Sequence, residues 1–571
     1  MSKIKRRQFL HEAGVALLVD GTNPIPSSYI DYSNKTLPTQ LNKTTKGLTA
    51  YSGSFNETEI IHLCRRTLFG VKKTDIDFFK TKSLSDAVDF ILNVNPNEPT
   101  FPLNHYGTNT NLPDSEIPYG QTWVNASPNG NLNSARIQSF KAWWIGLMLN
   151  QECNIREKMT LFWHNHFSTE SNVVKDARFV FKTNNLLRAN CLGNFKTLVA
   201  SISTDPAMLV YLNGEQNNKT SPDENFGREL QELFTVGKDL PSHYTEEDVK
   251  MAAKAMTGWR NNATNISSYF DSTKHDTSNK QFSSFYNNTV IIGRSGSTAG
   301  SQELNDLVNM IFAQEEVSKF ICRKLYRYFV YYVIDETIEL NVIQPLAKIF
   351  RDNNYNITPV LSTLFKSEHF YDVLNMGCMI KQPIDYLIGM SRQFNLQFPD
   401  GTNPLQTYTH LAYVQQVGLA LGQDIGDPPN VAGWPAFYQS PQFYELWINS
   451  DSLPKRNQIC DSLIYNGFNR QNFKLILDLT AFAQQLNTPE DPNALIVQIT
   501  KLLYGIDVSQ TIKNELKTSF LLSGQSSDHY WTDAWNAYIA APTDTTKKSI
   551  VNTSLQALIK YVCGQAEHQL C

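Results

Sequence analysis

The sequence contains no apolar run that approaches the roughly 20 residues needed to span a bilayer, so it predicts no transmembrane helix. It also lacks a basic surplus, because 50 Lys and Arg stand against 54 Asp and Glu, for a net charge of −4. Nucleic-acid binding depends on positive charge that neutralises phosphates, so the composition does not favour that class of function. No segment repeats with a period of about 20–50 residues, which argues against a solenoid.

Several enzyme motifs are missing as well. There is no GxSxG nucleophile elbow, no P-loop and no GxGxxG fingerprint, so serine-hydrolase, nucleotide-binding and dinucleotide-binding functions have no positive support. The eight cysteines form no CxxC pair, which leaves a zinc ribbon unsupported. Most of them lie in apolar helical runs and are interpreted as small buried side chains. Cys563 and Cys571 flank a polar tail, and a disulfide between them would agree with an oxidising compartment.

The N-terminus has the features of an export signal. Arg6 and Arg7 form a twin-arginine pair, and a short apolar patch at residues 13–19 ends at Asp20. This pattern resembles a twin-arginine leader, which is an address read by a receptor and not a membrane anchor. The alternative is a basic amphipathic helix that stays on the protein, since the patch is short and no small-x-small cleavage site follows. We expect export to the periplasm, the cell surface or the extracellular space.

The rest of the chain predicts a mostly α-helical fold with a large multi-helix body. Hydrophobic residues make up 41 % and charged residues 18 %, which is a globular composition with enough apolar content for a large core. Helical spacing of apolar residues begins near Glu57, whereas residues 260–300 predict a small β-hairpin excursion. We predict an export leader and linker at 1–50, a helical core at 51–455 and a C-terminal helical extension at 456–571.

Nine phrases in a fixed order carry a resemblance to a known family. They are HLCRRTLFG (62–70), REKMTLFWHNHF (156–167), DPAMLVYLN (205–213), ENFGRELQELFTVG (224–237), YTEEDVKMAAKAMTGW (244–259), HDTSNKQF (275–282), ICRKLYRYFV (321–330), IKQPIDYLIG (380–389) and PPNVAGWP (428–435). From about residue 57 to about residue 460 the chain resembles the large bacterial family of unknown function called DUF1800. The segment beyond residue 460 looks specific to this protein.

The resemblance implies a helical fold and, commonly, export with a twin-arginine-like leader. It also implies a partner, because members are often encoded beside a second family related to sulfatases and alkaline phosphatases. It implies no established activity and no accepted catalytic residue. One departure lies at residues 277–284, where the family usually has Gly-x-Lys-Thr-Phe-Leu-Gly and this chain has TSNKQFSS without glycine. A close backbone approach to a ligand is therefore not expected there.

The FWHNHF stretch, residues 162–167, places two histidines beside an asparagine among aromatic residues. Successive helical residues turn by about 100°, so His164 and His166 diverge by about 200° and cannot face one pocket on an unbroken helix. The i, i+4 histidine pair of an HExxH zinc helix is absent. Each histidine can join a site built with other segments, or act as a structural hydrogen-bonding residue.

Two further stretches contain polar residues that could belong to a functional site. In ENFGRELQELF, residues Asn225, Arg228, Glu229 and Glu232 share one helical face, and burying such a stripe requires partners. Either this face is exposed, or partners come from other helices, for which the candidates are Arg65, Arg66, Arg156 and His164. The loop stretch KHDTSNK contains a His-Asp pair that can ligate a metal or act in acid/base chemistry.

We predict a hydrolase acting on an extracellular polymer such as polysaccharide or peptidoglycan, with a divalent metal as an open option. The candidate catalytic residues are His164, His166, Glu229, His275 and Asp276. The candidate substrate-binding residues are Arg65, Arg228, Lys280 and Trp434, although PPNVAGW also fits a rigid turn with a packed tryptophan.

The alternative is a non-catalytic envelope scaffold or a binding partner of the sulfatase-like neighbour, in which the same polar residues form a buried structural network. Neither hypothesis includes a nucleic acid or a membrane span. Convergence of His164, Glu229 and His275 in an open pocket would favour the enzyme. Dispersal of these side chains, or their sealing by aromatic residues, would favour the scaffold.

Overall fold

The computed structural model describes residues 44–95, 97–108, 112–238 and 243–571. The predicted twin-arginine leader therefore lies outside the described residues. Within them the fold is mostly α-helical with small two-stranded sheets, as the sequence predicts. No helix in this part of the chain is long and apolar enough to cross a membrane.

Along the chain, a first set of helices is followed by two hairpins, a second set of helices, a third hairpin and the C-terminal helices. The first helices are α1 Glu57–Thr67, α2 Lys73–Phe79, α3 Leu84–Leu92, α4 Asn133–Leu149, α5 Arg156–His166, α6 Ser171–Val174, α7 Ala177–Ala189, α8 Phe195–Ile202, α9 Pro206–Tyr211, α10 Glu224–Glu229 and α11 Glu246–Ala255. Two antiparallel hairpins follow, β1 Trp259–Asn262 with β2 Ser267–Phe270, and β3 Lys280–Gln281 with β4 Val290–Ile291. The next helices are α12 Ala299–Phe312, α13 Glu315–Phe329, α14 Glu336–Ile338, α15 Gln344–Asp352, α16 Ile357–Phe365, α17 Pro383–Gln393, α18 Pro404–Ala420 and α19 Ser452–Tyr465.

A third hairpin and the C-terminal helices complete the regular structure. They are β5 Phe468–Arg470 with β6 Phe473–Leu475, and α20 Leu479–Gln484, α21 Pro492–Tyr504, α22 Gln510–Glu515, α23 His529–Ala540 and α24 Thr545–Gly564. Wider π-helical turns occur at Leu230–Thr235, Glu339–Ile343 and Leu516–Leu521. Short 3-10 turns occur at Gly214–Gln216, Ser272–Lys274, Ser284–Tyr286, Val373–Asn375, Pro435–Phe437, Phe443–Trp447 and Ala566–Gln569.

The hairpin β5–β6 was not predicted, because residues 455–562 were expected to be helical throughout. Its two-residue turn is formed by Gln471 and Asn472, whose φ angles are +50° and +58°. A two-residue turn with both central residues in the left-handed region matches the twist of antiparallel strands. Asn adopts this conformation readily and Gln does not, so only one of the two turn residues is of a type that predicts the turn.

The described residues divide into two compact units, each discontinuous in sequence. Unit 1 comprises residues up to Leu84, Glu368–Phe398 and Tyr444–Cys571, and unit 2 comprises Ser85–Ser367 and Pro399–Phe443. The predicted boundary between residues 455 and 456 lies inside α19, within unit 1.

Unit 1 depends on a close approach between α17 and the turn that follows α1. Gly70 has a φ of +69°, and a Cβ atom there would lie 2.6 Å from the Cα of Gly389 in the middle of α17. Only glycine satisfies both the left-handed backbone and this contact. Helix α17 is buried along its whole length, so the two glycines set how deeply it packs.

Unit 2 contains helix α5, which carries most of the FWHNHF stretch and is buried from Glu157 to His166. Glu157 receives two hydrogen bonds from the Arg188 guanidinium of α7, at 2.7 and 2.9 Å, and one from Trp144 Nε1 of α4 at 3.0 Å. A buried ion pair is tolerated only when its remaining hydrogen-bonding capacity is filled in this way. The first turn of α5 is thereby fixed against α4 and α7, which sets the position of its last turn.

Candidate functional site

The last turn of α5 holds a loop that carries two aspartates. His164 Nε2 accepts a hydrogen bond from the Gly426 N–H at 3.2 Å. Asn165 Oδ1 accepts one from the Trp434 N–H at 2.9 Å. The segment of residues 424–434, which we call the aspartate loop, is therefore attached to α5 at two points.

His164 is a neutral acceptor in this arrangement. A backbone N–H only donates, so the Nε2 atom that receives it carries no proton. Burial lowers the pKa of His164 to about 4, with the charge of Asp427 opposing the shift and the charge of Lys141 adding to it. The ring is therefore uncharged near pH 7, and its role is to position the aspartate loop.

The aspartate loop presents two carboxylates to one ammonium group. Lys141 Nζ of α4 lies 2.7 Å from Asp424 Oδ2 and 2.5 Å from Asp427 Oδ2. Asp427 also accepts hydrogen bonds from the Ser171 hydroxyl at 2.7 Å and the Asn172 N–H at 3.0 Å. Burial alone would raise the pKa of Asp427, but Lys141 and these donors outweigh it, so the pKa lies below its usual value. Asp427 is held as a carboxylate.

The second histidine of α5 holds a different segment. His166 Nε2 donates to the carbonyl of Phe234 at 3.1 Å, within the π-helical turn Leu230–Thr235. Since that nitrogen carries the proton, Nδ1 of the neutral ring accepts, and Lys324 Nζ lies 3.1 Å from it. His164 and His166 thus have opposite tautomers and bind different segments, as their divergence along a helix requires.

Lys324 of α13 reinforces this second attachment. Its ammonium group donates to the Leu233 carbonyl at 3.2 Å and lies 4.8 Å from the centroid of the Phe320 ring. Burial, and then the charge of Arg327, lower the pKa of Lys324 to about 7. The group is therefore only partly charged near pH 7, and its hydrogen bonds link α13 to the π-helical turn.

Glu229 directly precedes that turn, and its electrostatic environment is the opposite of that of Asp427. Burial, and then the charge of Glu232, raise the pKa of Glu229, against smaller opposing effects of Arg228 and Lys238. The carboxyl group therefore keeps its proton to a higher pH than an exposed glutamate does.

Tyr211 lies near both Glu229 and Asp427, because the charges of both residues act on its hydroxyl. Its hydroxyl donates to Glu170 Oε1 at 2.8 Å. Burial raises the pKa of Tyr211 well above its usual value, and Glu170, Glu229 and Asp427 add to this in that order. These four half-buried residues of unit 2, Glu170, Tyr211, Glu229 and Asp427, form what we call the carboxylate cluster.

The family assignment follows from comparison with known proteins. The family described as "Protein of unknown function (DUF1800)" matches residues 62–569. The chain belongs to the DUF1800 family. The match continues past residue 460, so it includes the C-terminal segment that the sequence analysis placed outside the resemblance. No curated protein and no solved structure matches the chain.

The DUF1800 phrase around His275 forms a separate, sealed group. His275 Nε2 lies 3.1 Å from Glu303 Oε1, and Lys280 Nζ lies 2.7 Å from Glu303 Oε2, with each side chain at most 1 % exposed. His275 Nδ1 interacts with the Thr257 carbonyl at 2.9 Å. Asp276 accepts a hydrogen bond from the N–H two residues later, at 2.8 Å, and so stabilises its own loop. These contacts describe a structural ion-pair network, separate from the partners of His164 and His166.

The two predicted substrate-binding arginines also have structural partners. Arg65, in unit 1, donates to the carbonyls of Leu502 and Tyr504, each at 2.8 Å. Arg228 forms its closest ion pair with Glu246 at the start of α11, at 2.6 Å. The charged stripe of α10 therefore pairs locally, on a half-exposed face, and not with the arginines of distant helices.

Trp434 serves to pack the aspartate loop. It is 1 % exposed, and its ring lies edge-on to His164 with a centroid distance of 5.8 Å. The preceding Gly433 has a φ of +90°, and a Cβ atom there would lie 2.3 Å from Asn165 Oδ1. This matches the rigid turn with a packed tryptophan, and it leaves no ring face open for stacking a ligand.

The sequence pointed to Glu229 but not to Asp427, Tyr211 or Lys141. Asp427 lies directly before the PPNVAGWP phrase, and Tyr211 lies inside DPAMLVYLN, so the DUF1800 phrases contained a signal for both. Lys141 lies in α4 with no such signal.

The described residues contain no group of three or more His, Cys, Asp or Glu residues that could hold a metal ion.

The low pKa of His164 predicts a specific acid sensitivity. The unfolded chain binds a proton at this histidine below about pH 6.5, whereas the folded protein binds it only near pH 4. The unfolded state holds more protons in this window, so stability falls as the pH drops through it, by about 3 kcal/mol in total.

We expect His164→Gln, whose amide oxygen can replace Nε2 as acceptor, to flatten the dependence of urea unfolding free energy on pH between 6.5 and 4. His243→Gln, at an exposed position of unit 2, is the control and should follow the wild-type curve. Equal slopes for wild type and His164→Gln would contradict the assignment of His164 as a buried neutral acceptor.

Proposed function

We propose that this protein is an exported hydrolase that cleaves glycosidic bonds of an extracellular polysaccharide, with Asp427 and Glu229 as the reacting carboxyl groups. The observation that supports this is the opposite displacement of their pKa values within one half-buried cluster. Glycoside hydrolysis requires such a pair, one carboxyl group protonated and the other ionised.

The proposed roles follow from these protonation states. Glu229 donates its proton to the glycosidic oxygen as the leaving sugar departs, and water later restores that proton. Asp427, kept ionised by Lys141 and Ser171, stabilises the positive charge that develops on the sugar ring or activates the attacking water. The Tyr211 hydroxyl donates its proton to Glu170 Oε1, so toward a substrate it offers a hydrogen-bond acceptor.

The charge of the region restricts the substrate class. Asp424, Glu170 and Glu232 add further carboxyl groups around the proposed pair, and Lys141 is already paired with the two aspartates. A polyanionic chain would be repelled by this field. A neutral or amino-sugar polysaccharide fits better.

The loss of either reacting group should strongly reduce the rate of hydrolysis. We expect Asp427→Asn and Glu229→Gln to lower the rate of reducing-end release from a panel of neutral polysaccharides and peptidoglycan by about 10²- to 10⁴-fold. Glu247→Gln, at an exposed position one helix away, is the control and should retain the wild-type rate.

A substitution of Glu232 tests more directly whether Glu229 is the proton donor. Since Glu232 raises the pKa of Glu229, Glu232→Gln should remain active while the alkaline limb of its pH–rate profile moves to lower pH. An unmoved alkaline limb, or full activity in Asp427→Asn, would contradict the proposed roles.

Export is proposed from the sequence alone. Arg6 and Arg7 precede a short apolar patch in the manner of a twin-arginine leader. Replacing both with lysine should retain the protein in the cytoplasmic fraction, whereas replacing Lys3 and Lys5 with arginine should leave its export unchanged. Equal export of the two variants would contradict the leader.

One observation favours the alternative of a non-catalytic scaffold. The sealed network of His275, Lys280 and Glu303 is structural, and so are the contacts of Arg65 and Trp434. If the wild type releases no reducing ends from any polymer, a scaffold bound to a sulfatase-like neighbour is the proposal to test next, by co-purification.

A further inference from the structure

Two buried cysteines of unit 1 face each other across a helix pair. Cys460 lies in α19 and Cys563 in the last turn of α24, and they are 2 % and 1 % exposed. The two thiols lie close enough to influence each other's ionisation. The sequence suggested Cys571 as the partner of Cys563 because the two are close in the chain, whereas the fold supplies Cys460.

Other contacts show that the two helices pack side by side in opposite directions. Lys560 Nζ lies 3.1 Å from Asp461 Oδ2, and Gln556 Nε2 donates to the Ile464 carbonyl at 3.1 Å. Positions 460, 461 and 464 of α19 thus meet positions 563, 560 and 556 of α24. The cysteine pair is one of three contacts along this interface, so its proximity follows from the register of the helices.

The surroundings of Cys563 favour the form of the thiol that reacts with disulfides. Burial by itself raises the pKa of Cys563, but the hydrogen bond from Cys460 and the neighbouring His568 and Lys381 outweigh it and bring the pKa below its usual value. Burial and the same hydrogen bond raise the pKa of Cys460. Within the folded pair, Cys563 is therefore the sulfur that forms a thiolate more readily than Cys460.

We propose that Cys460 and Cys563 form a disulfide that cross-links α19 to α24 when the folding chain meets an external disulfide. The Cys563 thiolate attacks a sulfur of that disulfide, forms a mixed disulfide and releases one thiolate. The Cys460 thiol then loses its proton and attacks the mixed disulfide at Cys563, which releases the second thiolate. The cysteine pair loses two electrons and the single proton of Cys460, and the external disulfide is reduced to two thiolates, one of which takes up that proton.

The test is to refold the full chain in a mixture of oxidised and reduced glutathione and to map its disulfides. After alkylation under denaturing, non-reducing conditions, mass spectrometry should find two fewer alkylated cysteines than in the reduced protein. A peptide containing Cys460 should be joined to one containing Cys563. The oxidised protein should also melt at a higher temperature than the reduced protein, because the bond closes a loop of about a hundred residues in the unfolded chain.

Two variants separate the structural pairing from the sequence-based one. Cys460→Ser should abolish both the joined peptide and the difference in melting temperature, while Cys571→Ser should retain both. A wild-type protein whose cysteines all remain alkylatable after oxidative refolding would overturn the proposal. So would a joined peptide that pairs Cys563 with Cys571.

Discussion

The hydrogen bonds made by the last turn of α5 are the constraint on which the carboxylate cluster depends. His164 accepts from the backbone of the aspartate loop, and His166 donates to the carbonyl of Phe234 in the π-helical turn. The bond from Gly426 requires a neutral His164, and the contact of Lys324 with Nδ1 requires a neutral His166, since a protonated ring offers no acceptor. Burial among aromatic side chains keeps the rings neutral, so the apolar residues of FWHNHF set the protonation state that the hydrogen bonds need.

The two carboxyl groups of the cluster differ in their surroundings. Lys141 lies within ion-pair distance of Asp427, and it and the donors Ser171 and Asn172 outweigh the burial that would raise the pKa of Asp427. Burial, and then the charge of Glu232, raise the pKa of Glu229. Two carboxyl groups of similar intrinsic acidity thereby have pKa values displaced in opposite directions. Their positions come from different segments, which α5 holds through different residues.

The sequence predicted the fold class and part of the site, and the limits have physical causes. Helical periodicity is local, so the mostly helical fold and the divergence of His164 from His166 could both be derived from it. His164 binds the backbone N–H of Gly426, and His166 binds the backbone carbonyl of Phe234. Almost every residue has these backbone groups, so the sequence contains no signal that identifies the hydrogen-bond partners of the two histidines.

Two other groups of polar residues show the same limit. The sequence left open whether the stripe of α10 is exposed or paired with other helices, and in the structure Arg228 pairs with Glu246 at the start of α11. His275 and Asp276 were predicted to be catalytic from their residue types, and the structure adds that His275 is buried beside Glu303. Burial depends on the whole fold and cannot be derived from a dipeptide.

Amide hydrogen exchange of two variants tests the central claim most directly. If α5 holds the two segments independently, His164→Ala should speed exchange in residues 424–434 and leave residues 230–237 unchanged. His166→Ala should do the reverse, because it removes only the bonds to Phe234 and Lys324. Faster exchange in both segments in either variant, or in neither, would contradict the account that each histidine positions one side of the carboxylate cluster.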